Sequence, residues 1–251
     1  NTRRYEIVRD AFYNSKSSVV WALSGGYGST RLIPDLSKLV PPSQPKLLIG
    51  FSDITALHMF VTEKWGWTAL HAPVLAQIAQ KTVDQESIDH VHRIVFGDCD
   101  QVSYASLIPL NNPARSHGLI KANVTGGNIS MIQSGIGTIW HLKTKGRILF
   151  FEDVDERAYR TAERLEHLRQ SGLFEEPAAI IFSNFSWNQT IEEGPGLTEK
   201  ILKRFAEECA FPVFRHSGIG HGSRNLSIPI NIEGCLDRKM TGSDLYIKLR
   251  C

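Results

Sequence analysis

The sequence predicts an α/β protein of two lobes, and three observations carry that expectation. Short β-branched runs alternate with segments of helical period, glycine-rich turns follow several of those runs, and one polar, weakly periodic stretch divides the alternation in two. At 251 residues the chain is long enough for one large domain or two ordinary ones.

The elements follow in order. Residues 2–13 place Ile7, Val8, Ala11 and Phe12 at helical spacing. SVVWAL (18–23) reads as a short buried strand, followed by the glycine cluster SGGYGST (24–30). After the break PPSQP comes a second strand, KLLIG (46–50). Ile54, Leu57, His58, Val61 and Trp65 then mark one face of a helix, and TALHAP closes the unit as a third strand. Such alternation indicates parallel βαβ units. A lobe of this kind rarely opens on a helix feeding an edge, so further βα elements are expected upstream.

Residues 1–75 form the predicted N-terminal lobe, 76–118 a polar linker region, and 119–251 the C-terminal lobe. In the last, LIKANVTGGNIS gives a strand, a glycine turn and a helix to about Gly137. RILFFEDV (147–154) is a buried strand ending in acids, and Ala162, Leu165 and Leu168 mark the next helix. AAIIFSNFS (178–186) is another strand, and Ile201, Leu202, Phe205, Ala206 and Cys209 mark a helix capped near Thr198. PVFRH, the glycine-rich GIGHGSRN, LSIPI and a final strand DLYIKL complete the chain.

Composition narrows the function classes. Hydrophobic residues make up 42% and charged residues 22%, an ordinary globular balance. The formal charge of +2, with no basic block or stripe, argues against a nucleic-acid partner. No apolar run approaches a membrane span, and the opening NTRRYEIVRDAF lacks the apolar core of a signal peptide. Cys99, Cys209, Cys235 and Cys251 are far apart and form no CxxC pair. Structural zinc is therefore not expected, and free thiols in a reducing compartment are the simplest reading, with a disulfide left open.

Several chemically capable groups fall at strand ends, where open α/β sheets place their ligands. They are SGGYG, Ser52, Glu152 with Asp153, and His221. Together they offer a nucleophile, a base, an orienting carboxylate and loops of free backbone N–H groups. Each also has a plainer reading. Ser52 in GFSDIT can cap the helix that follows, and the G-x-S-x-G elbow pattern has Ile54 in place of its second glycine. Glu152 and Asp153 can be solvated strand-end acids, and His221 a surface-loop histidine between two glycines. SGGYGST lacks the lysine of a phosphate loop. His216, His221, Glu152 and Asp153 lack metal-ligand spacing, so no metal is expected. His58 and His71 are expected as packing histidines. The residues alone lead to a hydrolase-like α/β protein.

The joint pattern is more specific. GGYGSTRLIPDL, PKLLIGFSDITALH, HAPV, VTGGNIS, ILFFEDVDERAYR and GHGSRNLSIPI occur in this order over nearly the whole chain. That pattern resembles the LD-carboxypeptidase family of serine peptidases, which includes muramoyl-tetrapeptide carboxypeptidases and microcin C immunity peptidases. The resemblance implies a flavodoxin-like parallel α/β lobe followed by a mixed α/β lobe, and a Ser-Glu-His triad. Carried over by motif, the triad falls on Ser52, Glu152 and His221. The implied oxyanion hole uses the amide of Asp53 and one from the GGYG loop, Gly25 or Gly26, with Gly26 taken here.

The family also implies a substrate: the L,D-peptide bond that joins a diaminopimelate L-centre to a terminal D-Ala in cytoplasmic muropeptides of cell-wall recycling. Cytoplasmic location and no cofactor are implied with it. The immunity branch instead cleaves an amide in a peptide-nucleotide antibiotic, and a non-catalytic muropeptide-binding member is a third alternative. Three departures stand out. The family's first lobe normally begins with further βα elements, whose absence would leave a sheet edge open to a second copy, so a homodimer is an expected partner. Ser24 stands where muropeptide-cleaving members often carry arginine, and Asn231 replaces a glycine after the I-P block.

Overall fold

The computed structural model describes residues 2–186, 196–239 and 242–249. Helix α1 (Thr2–Tyr13) leads into β1 (Val19–Trp21), α2 (Ile33–Leu36), β2 (Leu47–Gly50), α3 (Thr55–Trp65) and β3 (Ala69–His71). The three strands pair in parallel in that order, as the alternation predicts. Phe12 anchors α1, its ring edge-on to Trp65 and Trp67 with centroids 5.5 Å away in each case. Helix α3 differs from expectation in being buried on every side from Thr55 to Thr62 rather than along one stripe. It lies between the parallel sheet and the second lobe, so it has no face left for water.

Residues 76–118, expected as a linker, are folded. Helix α4 (Leu75–Ala79) and α5 (Gln85–Phe96) are followed by the strand β4 (Gln101–Pro109) and α6 (Asn112–Ser116). The signal for β4 is faint because only Val102, Tyr104 and Leu107 turn inward. Next come β5 (Ile120–Asn128), α7 (Ile129–Ser134), β6 (Ile148–Val154), α8 (Ala158–Gln170), β7 (Ala179–Ser186) and α9 (Leu197–Glu207). The chain ends through β8 (Val213–Arg215), β9 (Ile228–Ile230), β10 (Ile232–Lys239) and β11 (Gly242–Lys248). Thr198 does not cap α9. The cap position is Gly196, in the left-handed region at φ 80°, with no side-chain bond to the helix.

The second lobe is a closed barrel of β10, β11, β4, β8, β7, β6 and β5. Neighbours from β5 to β8 run parallel, and the remaining pairings are antiparallel. Closure leaves this sheet no open edge. Phe150, Phe151, Phe182 and Phe214 are fully buried in the core.

The lobes are not independent in chain order. Strand β9 leaves the barrel and pairs antiparallel with β3, ending the first sheet on the side away from β1. Pro229 is tolerated there because an edge strand need not donate on its outer side. Asn231, the residue after this strand, sits at φ 65°, where asparagine is one of the few residues besides glycine at ease. Its side-chain amide donates to the Trp67 carbonyl at 3.1 Å.

Cys99, Cys209 and Cys235 are free thiols, and Cys251 lies outside the described residues. Among the described residues no helix is long and apolar enough to cross a membrane.

Candidate active site

Ser52 follows β2 directly. Phe51 is extended (φ −159°), and the chain then reverses so sharply that Ser52 adopts φ 61°. A non-glycine residue in that region costs roughly 1–3 kcal/mol, and such strain is sustained only where neighbours fix it. The turn continues as a short 3-10 segment, Ser52–Ile54, into α3. Ser52 makes no side-chain cap bond to either helix, so the capping reading fails. Ile54, which stands where the elbow pattern has its second glycine, lies so close to Gly50 that a Cβ at position 50 would be 3.0 Å from its side chain. Ser52 is half-buried, and Gly25 of the glycine loop lies so close that a Cβ there would stand 3.3 Å from Ser52 Oγ.

Glu152 comes from β6, opposite Asn128 of β5, and is fully buried. Its Oε2 lies 2.6 Å from His221 Nδ1. Neither is the solvated surface group that its local sequence allowed. His221 sits in the loop between β8 and β9, and its ring leans on Phe51 at a centroid distance of 4.6 Å. The side chain next to the candidate nucleophile thus touches the candidate base. Among the described residues Ser52 Oγ makes no hydrogen bond. Catalytic hydrogen bonds are often long before substrate is bound.

Electrostatics suit a base in this position. Burial pushes the His221 pKa down, but the Glu152 hydrogen bond and charge, with Asp153 and Asp155, outweigh it and raise the value above 6.5. The Asp153 carboxylate is held by other partners, accepting from Asn128 at 3.0 Å and Ser130 at 2.8 Å and pairing with Arg164 at 2.9 Å. Burial lifts its pKa to about 6, against the pull of Arg164.

The His221 loop is held by α5 on one side and by the barrel strand β7 on the other, through residues with no role in the sequence reading. Asp84 caps α5 by accepting from the Ser87 amide and hydroxyl. Ser87 Oγ in turn accepts from the Asn225 amide at 2.8 Å, and Asn225 Oδ1 accepts from Gly220 N–H at 3.0 Å. Ser183 of β7 binds both the N–H and the carbonyl of Ile219. The D-x-x-S pattern at 84–87 was a visible cap signal, but its link to a loop about 135 residues away was not.

The remaining candidates are placed as follows. Asp53, buried, turns its carboxylate to Ser29, and Gly26 adopts φ 113° in the loop beside Ser52. His216 is half-buried behind the loop, its pKa lowered to about 4 first by burial and then by Arg224 and Arg215. His58 and His71 are core imidazoles; the ring nitrogens of His71 have no hydrogen-bond partner among the described residues, and its ring packs edge-on against Phe51 and Phe150.

Comparison with known proteins bears on the family and the fold. The LD-carboxypeptidase N-terminal domain profile matches residues 1–72, and the C-terminal domain profile matches 121–236. A protein of Rickettsia conorii that carries a provisional carboxypeptidase name is 41% identical over 228 residues, covering 91% of this chain and 70% of that protein. The murein tetrapeptide carboxypeptidase of Pseudomonas aeruginosa is 29% identical over 237 residues, 90% of this chain and 75% of that one. The muramoyltetrapeptide carboxypeptidase structure from Oxalobacter formigenes has a TM-score of 0.79 at 23% identity, over 98% of this chain and 84% of the other. An MccF-like protein of Streptococcus pneumoniae, solved with AMP, has a TM-score of 0.79 at 15% identity, over 98% and 83%. At these identities the two structures show a common fold.

Proposed function

Because the chain belongs to the LD-carboxypeptidase family of serine peptidases, we propose that it releases terminal D-Ala from murein tetrapeptides by serine catalysis. The bond cleaved is the L,D-amide between the diaminopimelate L-centre and D-Ala, and the setting is cytoplasmic cell-wall recycling. The observation that carries the reading is the 2.6 Å Glu152–His221 bond, with the His221 ring against Phe51 beside Ser52.

In the proposed mechanism Ser52 Oγ attacks the scissile carbonyl while His221 Nε2 takes its proton. Glu152 holds Nδ1–H, fixing the tautomer and stabilising the imidazolium. The oxyanion receives the Asp53 amide and, from the glycine loop, that of Gly26. Collapse returns the proton to the leaving amine of D-Ala, and water then hydrolyses the acyl-serine ester by the same steps. The N-terminal end of α3 adds its positive pole near the oxyanion.

A second reading, an immunity-type peptidase that cleaves a peptide-nucleotide amide, is favoured by Ser24 in place of the arginine common in muropeptide-cleaving members. A defined panel of muropeptides and aminoacyl-nucleotide amides, read by mass spectrometry, separates the two. The account expects D-Ala release by the wild type, none by Ser52→Ala, and no effect of EDTA. Release that persists in Ser52→Ala, or that chelator abolishes, contradicts it. Cleavage of the nucleotide amide alone favours the second reading.

A further inference from the structure

We propose that the Asp53 carboxylate is a positioning residue that ties the glycine loop to the nucleophile turn. The inference rests on the hydrolase reading of this site and adds a role for a side chain that the triad leaves unused. One oxygen, Oδ2, accepts from Ser29 N–H at 3.0 Å and from Ser29 Oγ at 2.7 Å. Both residues are buried, Asp53 at 7% exposure and Ser29 at 6%, so water competes little for these bonds.

The loop needs such a tie. Between β1 and Ser29 it contains Gly26 at φ 113° and Gly28 at φ 103°, conformations that its glycines permit but do not enforce. Its tip, Tyr27, is 77% exposed, so little apolar burial holds it down. Among the described residues the one other side-chain bond to the tip comes from α1, where Arg4 donates to the Tyr27 carbonyl at 3.0 Å. Gly25 nevertheless lies so near the nucleophile turn that a Cβ there would stand 3.1 Å from Ser52 Cβ. Asp53 thus fixes the loop through its carboxylate while its own amide faces the same reaction as a proposed oxyanion donor. Both donors are then referenced to one residue, and their spacing is set before substrate arrives.

An ordinary alternative is that the carboxylate merely favours the start of α3 through the helix dipole. The two readings separate on three variants. Asp53→Ala removes the tie. Asp53→Asn keeps an oxygen able to accept both bonds but removes the charge. Ser29→Ala removes only the hydroxyl bond. The proposal expects kcat for D-Ala release to fall on the order of 10²-fold in Asp53→Ala, with KM changed less than about threefold. Asp53→Asn should recover kcat to within about tenfold of wild type, and Ser29→Ala should lie between.

Amide hydrogen exchange supplies a readout free of substrate. In Asp53→Ala the 24–30 segment should exchange at least about tenfold faster while the barrel strands are unchanged. If Asp53→Ala does not fold, Ser29→Ala carries both measurements. Loop exchange unchanged in the variants, or Asn no better than Ala, overturns the proposal. If the wild type releases no D-Ala from any substrate, the carboxypeptidase reading falls, and the loop exchange alone upholds or overturns the tie.

Discussion

Gly220 lies against the Glu152 side chain so closely that a Cβ at position 220 would stand 2.8 Å from Oε2. Its φ of 118° is also one that side chains rarely adopt. The carboxylate and the backbone next to His221 therefore occupy space that only glycine leaves open. Gly220→Ala should displace His221 from Glu152 and lower kcat/KM by at least about 10²-fold, the usual cost of a misplaced catalytic group. Gly118→Ala, where a Cβ meets nothing within 4 Å, should leave activity within twofold or so of wild type. Comparable loss in both variants would contradict this account.

The raised pKa of His221 sets a pH dependence. Imidazole acts as a base only when neutral, so the acid limb of kcat/KM should fall above pH 6.5 in the free enzyme. Glu152→Gln removes the hydrogen-bonded charge that opposes burial, so the limb should move to lower pH while the rate drops about 10²- to 10⁴-fold. The linkage has the matching sign. A raised folded value stabilises the native state below the unfolded pKa, and that contribution fades as pH rises through the folded value. An acid limb that does not move in Glu152→Gln would show that another group titrates.

His58 should make the fold acid-sensitive. Burial lowers its pKa to about 3, against a small opposing pull from the Leu48 backbone, and His71 shifts in the same direction. A lowered histidine gives stability that is present above the unfolded pKa and lost as pH falls below it. By pH 5 the His58 contribution alone is a loss of about 2 kcal/mol relative to alkaline solution. Urea unfolding across pH 5 to 8 should show this slope, and His58→Leu should flatten it by about that amount, whatever its effect on stability at pH 8. An unchanged slope would contradict a neutral, buried His58.

Much of this molecule is legible in its sequence because the signals are local. LLIG and LFF announce buried strands by apolar runs alone, and β2 and β6 appear where those runs lie. Other features depend on contacts between distant segments. β4 shows only a thin alternation, since Ser103 and Ala105 between its inward residues look like loop. β10, with the sequence IEGCLDRK, is a strand because β5 and β11 flank it on either side. Thr198 resembles a cap, yet a left-handed Gly196 starts the helix. Ser52 misleads most. Its identity and setting match a helix cap, and what sets it apart is a backbone angle that no local pattern encodes.

The most direct test of the central claim is the site of covalent modification. A fluorophosphonate reacts only with a serine whose hydroxyl is activated by a base and served by an oxyanion site. Intact-mass and peptide-mapping measurements on the wild type should find one adduct, on Ser52. Ser52→Ala should take none, and His221→Ala should slow labelling by at least about 10²-fold. Adduct on a different residue, or undiminished labelling of Ser52 without His221, would contradict the account.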